Sequence, residues 1–202
     1  RVQEYAAKLT EGIHQTERLL TTDKAPLPIT KAHLQASVQQ WKTRMDTVEG
    51  GPNRAPKFPL PSNYLFLLRY AQFENDNELL AHVNLTLQKM AMGGIYDQLH
   101  GGFCRYSTDV IWKVPHFEKM LYDNAQLAAL YTEAYRSTKN ELYAQVARGV
   151  LDFVEREWYT AEGYFYSAYD ADSDGEEGKY YVWTEIDLKE ILGEDYALFS
   201  RY

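Results

Sequence analysis

The sequence is poor in cysteine, in long apolar runs and in positive charge. Its 202 residues include one cysteine, Cys104, so no internal disulfide can form, and this scarcity of thiols predicts a reducing, cytoplasmic compartment. No apolar run approaches the roughly 20 residues of a membrane span, and the first residues do not read as a signal peptide. The net charge of −8, with no Lys/Arg stripe, argues against a nucleic-acid surface. We therefore expect a soluble protein without nucleic-acid or membrane partners.

Aromatic side chains are abundant in this sequence, and the rest of its composition is typical of a globular protein. The chain is 45% apolar and 25% charged, and it holds 17 tyrosines, 4 tryptophans and 8 phenylalanines. Rings with a polar tip fill helix interfaces, and they also line pockets in which sugars stack on aromatic faces. Helix packing explains most of them, and a ligand pocket is the alternative for the rest.

Apolar residues recur at intervals of three and four along most of the chain, which predicts an all-α fold with minor β structure in the loops. Gly/Pro-rich residues 50–59 interrupt this pattern, and a hairpin is expected where residues 103–107 and 110–114 flank Thr108-Asp109. Helical pairs at this spacing favour an α/α array, although no sequence repeat proves one. The predicted helices span 2–20, 31–48, 62–74, 77–92, 116–137 and 141–158, with a short strand at 180–183 and a last helix from about Thr184.

Glycines, aromatics and ionisable groups concentrate in the loop stretches 50–59, 93–125 and 166–183, which indicates a site there. His116 is expected at the start of a helix, where the positive end of the helix dipole would keep its imidazole neutral and able to accept a proton. Asp123 would then share its helical face. The alternative is that His116 caps the helix and Asp123 bonds nearby backbone.

The predicted hairpin carries Arg105 and Tyr106 together with Trp112. The arginine guanidinium can donate two parallel hydrogen bonds, and the aromatic rings can stack on a ligand. An edge strand covered by its own aromatics is the equal alternative. Cys104 could act as a nucleophile with His116, but buried inert cysteines are commoner.

Carboxylates crowd the third stretch, where Asp170, Asp172, Asp174 and Gly175 match the opening of an EF-hand loop. The twelfth position, however, is Tyr181 rather than glutamate, so calcium is a weak alternative and no metal or cofactor is predicted. The first two aspartates could instead serve as general acid or base. A network of Asx turns is the structural alternative.

Four blocks of sequence resemble a family of thioredoxin-domain-containing proteins, which includes the spermatogenesis-associated thioredoxin-like protein of animals and bacterial homologues. The blocks are GGIYDQLHGGFCRYSTD, WKVPHFEKMLYDNAQLAALY, SAYDADSDGEEGKYYVWT and, less closely, GGPNRAPKFP. Two departures stand out. Cys104 follows the GGF motif where the family usually has histidine, and Pro52-Asn53-Arg54 replaces a more glycine-rich turn.

In that family a thioredoxin-like domain precedes a helical toroid similar to those of N-acylglucosamine 2-epimerases and six-hairpin glycosidases. The resemblance implies that this chain, which has no CxxC motif, is an excised portion containing the first half of such an (α/α)6 toroid. Residues 1–28 would then be a connector, and 29–202 the partial toroid domain. Helix faces left open by the missing half would promote self-association.

Two functional hypotheses follow. The first is a carbohydrate-acting domain, either a sugar epimerase or isomerase or a glycoside hydrolase; the second is a non-catalytic binding or scaffold module that works with the thioredoxin-like domain of the same chain. Whether the domain is an enzyme stays open at this point. The expected catalytic residues are His116, Glu118, Asp170, Asp172 and Asp97, and the expected substrate-binding residues are Arg105, Tyr106, Trp112, Tyr96, Asp123 and Lys57.

Overall fold

The computed structural model describes residues 2–17 and 28–201, and the chain divides into two compact units, 1–39 and 40–202. In the first unit, α1 spans Val2–Glu17, and α2 (Lys31–Lys42) begins there and runs into the second unit. The Thr30 hydroxyl accepts a hydrogen bond from the His33 amide and so caps the start of α2. The predicted end of the first helix, at residues 18–20, lies outside the described residues. The domain boundary expected after residue 28 stays a prediction.

Helical hairpins build the second unit, as the periodicity predicted. The helices α3 (Pro61–Glu74) and α4 (Asn77–Met92) form one pair, and α5 (Leu121–Thr138) and α6 (Glu141–Phe153) form the next. Short connections make each pair antiparallel, while α3 also packs on α5 and α4 on α6. The chain ends with α7 (Glu185–Leu192) and the single turn α8 (Tyr196–Phe199). None of the helices in the described ranges has the length and apolarity that a membrane crossing requires.

Aromatic residues fill the interface between these pairs. Tyr131 and Tyr143 are fully buried, and their rings meet edge to face with centroids 5.8 Å apart. The Tyr131 hydroxyl donates to the Leu87 carbonyl at 2.7 Å, so its polar tip is satisfied in the core. These two tyrosines therefore serve helix packing.

The loops that follow α2 and α4 have the same structure. Asp46 and Asp97 each accept, on Oδ1, the backbone amides two and three residues further on, and each begins the pattern D-x-x-x-G-G. The flanking backbone pairs as Met45 with Pro52 and as Tyr96 with Phe103. This repeat, 51 positions apart, escaped the sequence analysis because its two copies share few other residues. A similar turn that pairs Tyr159 with Phe165 follows α6.

The helix predicted from residue 116 begins instead at Leu121, so that prediction is wrong at its start. Pro115–His116 is a strand, β2, that pairs with β1 (Tyr106–Ser107), and Lys119–Met120 is β3, which pairs with β4 (Ala168–Tyr169). Residues 115–116 and 119–120 are held in strand pairs and not in a helix. His116 therefore does not lie at a helix N-terminus and shares no helical face with Asp123. The helix-dipole argument for His116 therefore fails.

Other loop predictions are also corrected. Residues 43–48 leave α2 for the first repeated loop, and 110–114 form a turn because the Asp109 carboxylate accepts the amides of residues 111, 113 and 114. The helix predicted for 141–158 continues past α6 as a π-helical turn, Val154–Trp158.

Residues 180–183 form no strand. The EF-hand-like stretch is a hairpin of β5 (Asp172–Ser173) and β6 (Glu176–Glu177), turned at Asp174-Gly175, where both φ angles are positive. Within the described ranges no group of three or more potential ligands is placed to hold a metal.

Candidate functional site

A cleft of about 300 Å³ lies where the second repeated loop, β3, the end of α6 and the segment 169–181 meet. It combines aromatic rings with ionisable groups on one surface. Its lining residues are Asp97, His100, Lys119, Phe153, Glu157, Tyr169, Asp170, Asp172, Ser173, Tyr180 and Tyr181.

Lys119 is fully buried at the base of the cleft. Its Nζ donates to Asp97 Oδ2 at 2.9 Å and to the Gly101 carbonyl at 3.0 Å. The same ammonium lies 4.4 Å from the ring centre of Phe153 and 5.1 Å from that of Tyr181. Lys119 therefore ties a loop, a helix and the wall of the cleft together.

Asp97 is an ionised and nearly saturated acceptor. Its burial would raise the pKa of this carboxyl, but hydrogen bonds from the His100 amide and from Lys119 outweigh burial and lower the pKa. A carboxylate stabilised in this way is a poor base.

Tyrosines form the aromatic wall. Tyr181 stacks on Phe117 with ring centroids 5.5 Å apart, and Gly178, at φ 77°, lies against the same phenylalanine. Burial raises the pKa of Tyr181, so its hydroxyl stays protonated at neutral pH. Tyr169 is held by a hydrogen bond of 2.9 Å from its hydroxyl to the Glu157 carbonyl.

The remaining carboxylates of the cleft differ in their pairing. Glu157 Oε1 lies 2.7 Å from Arg156 Nε. Asp170 and Asp172 are exposed, and no ion pair to either is found in the described part of the chain. Among the residues that the structure describes, the Asp170 carboxylate accepts one hydrogen bond, from the amide of Asp172 at 3.2 Å. These two groups are therefore the carboxylates most available to a ligand.

Three of the expected catalytic residues, Asp97, Asp170 and Asp172, thus line the cleft together.

Other expected residues form a second group beside the cleft, which we call the histidine cluster. Its members are Arg105, Tyr106, His116, Glu118, Asp123 and Glu177, the last of which the sequence did not predict. His116 Nδ1 lies 2.7 Å from Glu177 Oε1, and its Nε2 lies 3.7 Å from Glu118 Oε2. None of these side chains lines the cleft. The cluster still adjoins the cleft wall, because Glu177 pairs across the hairpin with Asp172.

Within the histidine cluster, Asp123 is the group with the most perturbed acidity. Burial raises the pKa of Asp123 to about 6, although the Arg105 guanidinium opposes that rise. That guanidinium pairs with Glu118 at 3.0 Å, and the Tyr106 ring stacks on the His116 imidazole with centroids 4.9 Å apart.

The other expected binding residues serve the loop framework. Trp112 and Lys57 are fully buried, with Trp112 Nε1 donating to the Glu49 carbonyl at 2.9 Å and Lys57 Nζ lying 2.7 Å from Asp46 Oδ2. Tyr96 is partly buried and packs on Phe103 at 4.8 Å. None of the three expected residues lines the cleft.

Sequence reasoning missed Lys119, Tyr181 and Asn124. Asn124 is buried, accepts the Phe103 amide at 2.7 Å and donates to the Phe103 carbonyl at 3.0 Å, so it locks the second loop onto α5. The repeated D-x-x-x-G-G pattern was the signal that could have revealed this framework.

A larger cavity, of about 380 Å³, lies near the end of α2 and along α4, with Met45, Leu79, His82 and Leu85 among its lining residues. It is mostly apolar, and none of the residues that the sequence singled out lines it. The cleft is therefore the better candidate for chemistry.

The helical hairpins and their loops form part of an (α/α) toroid. The structure matches a cellobiose 2-epimerase from Bacillus thermoamylovorans with a TM-score of 0.59 at 16% identity, over 84% of this chain and 52% of that chain. No protein-family model matches.

Over 166 residues the chain is 45% identical to spermatogenesis-associated protein 20 of Mus musculus and to that of Homo sapiens. These matches cover 77% of the chain, which spans only 21% of either relative. The chain is thus homologous to a segment of spermatogenesis-associated protein 20, which confirms the family resemblance of its motifs.

Proposed function

We propose that this domain binds a carbohydrate in the cleft and acts on it. The observation that carries the proposal is the convergence of Tyr169, Tyr180 and Tyr181 with Asp170 and Asp172 on one cavity of about 300 Å³. Apolar sugar faces stack on aromatic rings, and carboxylates accept hydrogen bonds from sugar hydroxyls. The toroid shared with a sugar epimerase supports this use of the fold without specifying the reaction.

The same residues suit two kinds of proton transfer. In an epimerase or isomerase, a base removes the proton beside a carbonyl and an acid returns one, roles open to His100, Asp170 and Asp172. In a glycoside hydrolase, two carboxyls would do the work. Asp97, already saturated, would position the loop rather than move a proton.

A binding or scaffold module acting with a thioredoxin-like domain is the second candidate. It is favoured by the pairing of Asp97 with Lys119 and of Glu157 with Arg156, since paired carboxylates shape a surface without transferring protons. The thioredoxin-like partner rests on the family resemblance alone.

The test is calorimetric binding of glucose, cellobiose and N-acetylglucosamine to the full chain. Asp170→Asn and Asp172→Asn should weaken binding, by about fivefold each for a lost charged hydrogen bond. Asp174→Asn is the matched control: it lies in the same hairpin, its carboxylate pairs with Lys179 at 2.8 Å, and it does not line the cleft. Absence of binding by every sugar would overturn the proposal.

For a sugar that binds, NMR in D2O separates the reactions. Deuterium entering the sugar beside its carbonyl identifies an epimerase or isomerase, and a new reducing end identifies a hydrolase. Binding that depends on the aspartates, but without turnover, supports the binding module.

A further inference from the structure

The charges around the cleft are unequal, and the imbalance bears on which sugars can enter it. Its lining has four carboxylates, those of Asp97, Glu157, Asp170 and Asp172, and one lysine, Lys119. Lys119 compensates Asp97, and Arg156 compensates Glu157. In the described part of the chain, no ion pair compensates Asp170 or Asp172. Two negative charges therefore face the cavity.

Neither Lys119 nor Arg156, the cations that compensate Asp97 and Glu157, is placed to receive an anionic sugar in the cleft. Lys119 has no exposed surface, its ammonium already serves Asp97 and the Gly101 carbonyl, and the rings of Phe153 and Tyr181 lie within 5.1 Å of it. Arg156 does not line the cleft, and its guanidinium donates to Glu157 at 2.7 Å and to the His100 carbonyl at 2.8 Å. A phosphate or carboxylate on the sugar would meet Asp170 and Asp172 without an exposed lysine or arginine on the lining to compensate its charge.

We infer that the cleft discriminates by charge, excluding phosphorylated and acidic sugars and binding a protonated amino sugar more tightly than the neutral sugar of the same shape. This inference rests on the proposed function. Asp170 and Asp172 lie at the surface, so water and salt screen them, and each should change affinity about fivefold. Each aspartate attracts a cationic sugar and also repels an anionic one. Together, the two aspartates should therefore make the affinities of a cationic and an anionic sugar differ by at least about a hundredfold.

The experiment compares sugars of one shape: glucose, glucosamine, glucuronate and glucose 6-phosphate. Calorimetry on the full chain at about pH 6.5 keeps the amine protonated. Repeating the glucuronate measurement with His100→Gln shows whether this histidine of the lining contributes to the affinity for an anionic sugar. We expect glucosamine to bind more tightly than glucose, and the two acidic sugars to bind more weakly than glucose.

Replacing both aspartates by asparagine, Asp170→Asn with Asp172→Asn, should bring all four affinities towards that of glucose, whereas Asp174→Asn should leave their order unchanged. Raising the salt concentration should compress the differences in the unaltered protein. If an acidic sugar binds as tightly as glucose, the charge inference is overturned while the carbohydrate proposal stands. If none of the sugars binds, the proposed function itself fails.

Discussion

The ammonium of Lys119 lies 2.9 Å from Asp97 Oδ2 at the base of the cleft. The first repeated loop contains the same arrangement, because Lys57 Nζ lies 2.7 Å from Asp46 Oδ2 and 2.6 Å from the Gly50 carbonyl. Both lysines are fully buried, but only Lys119 borders the cleft. The repeat thus supplies its own control for separating stability from binding.

Lys119→Met and Lys57→Met should both destabilise the fold by roughly 3–5 kcal/mol, since each leaves a partly buried carboxylate without its partner. Urea unfolding measures this loss. Only Lys119→Met should also weaken sugar binding at temperatures where both variants remain folded. Equal weakening by the two variants would show that Lys119 contributes through stability alone.

Asp123→Asn should change the pH dependence of stability. Burial raises the pKa of Asp123 to about 6, above its value in the unfolded chain, so the folded state binds the proton more tightly. The stabilisation is complete at low pH and is lost as pH rises through about 6. Relative to wild type, the variant should gain about 1 kcal/mol between pH 4.5 and 7.5, after allowance for solvent screening.

Asp109→Asn is the control of opposite sign. Burial opposes ionisation of Asp109, but amide hydrogen bonds from Val114, Ile111 and Lys113 lower its pKa overall. Its stabilisation is therefore present at neutral pH and lost as pH falls through the lowered pKa. For Asp123→Asn, the difference in unfolding free energy from wild type should change with pH. If it did not, Arg105 would be keeping the Asp123 carboxyl ionised.

Cys104 should resist thiol reagents while the protein is folded. Burial raises the pKa of its thiol to about 12, so almost no thiolate exists at neutral pH, and the side chain is inaccessible. Labelling with a chromogenic disulfide should be slower by a factor of at least about 100 than in urea. Rapid labelling of the native protein would restore Cys104 as a candidate nucleophile.

Gly51→Ala and Gly175→Ala should differ in cost although both residues have φ above 70°. A Cβ at Gly51 would lie 2.5 Å from Trp112 Cζ2, whereas a Cβ at Gly175 would meet nothing within 4 Å. Backbone strain alone costs about 1 kcal/mol, and overpacking adds roughly 1–3 kcal/mol at the first site. Thermal unfolding should show the larger loss for Gly51→Ala, and equal losses would mean that Trp112 moves freely.

Local sequence determined which segments are helical and where some of them begin. Asp76 caps α4 by accepting the Leu79 amide, and Thr184 with Asp187 forms a capping box on α7, so short-range hydrogen bonds and apolar periodicity were sufficient. The four motif blocks predicted the similarity to spermatogenesis-associated protein 20 that the sequence comparison confirms, and the structural match confirms the toroid fold.

Only the tertiary structure decided which loop residues share a cavity. Lys119 lies in β3, which pairs with β4, and its ammonium reaches Asp97, whereas the pairing of β1 with β2 removed His116 from the expected helix start. Contacts between residues far apart in sequence leave no local periodicity. Trp112 and Lys57 show the same limit, because the sequence records an aromatic and a cation but not that both are enclosed. Burial, which depends on the whole fold, separates framework residues from those that a ligand can reach.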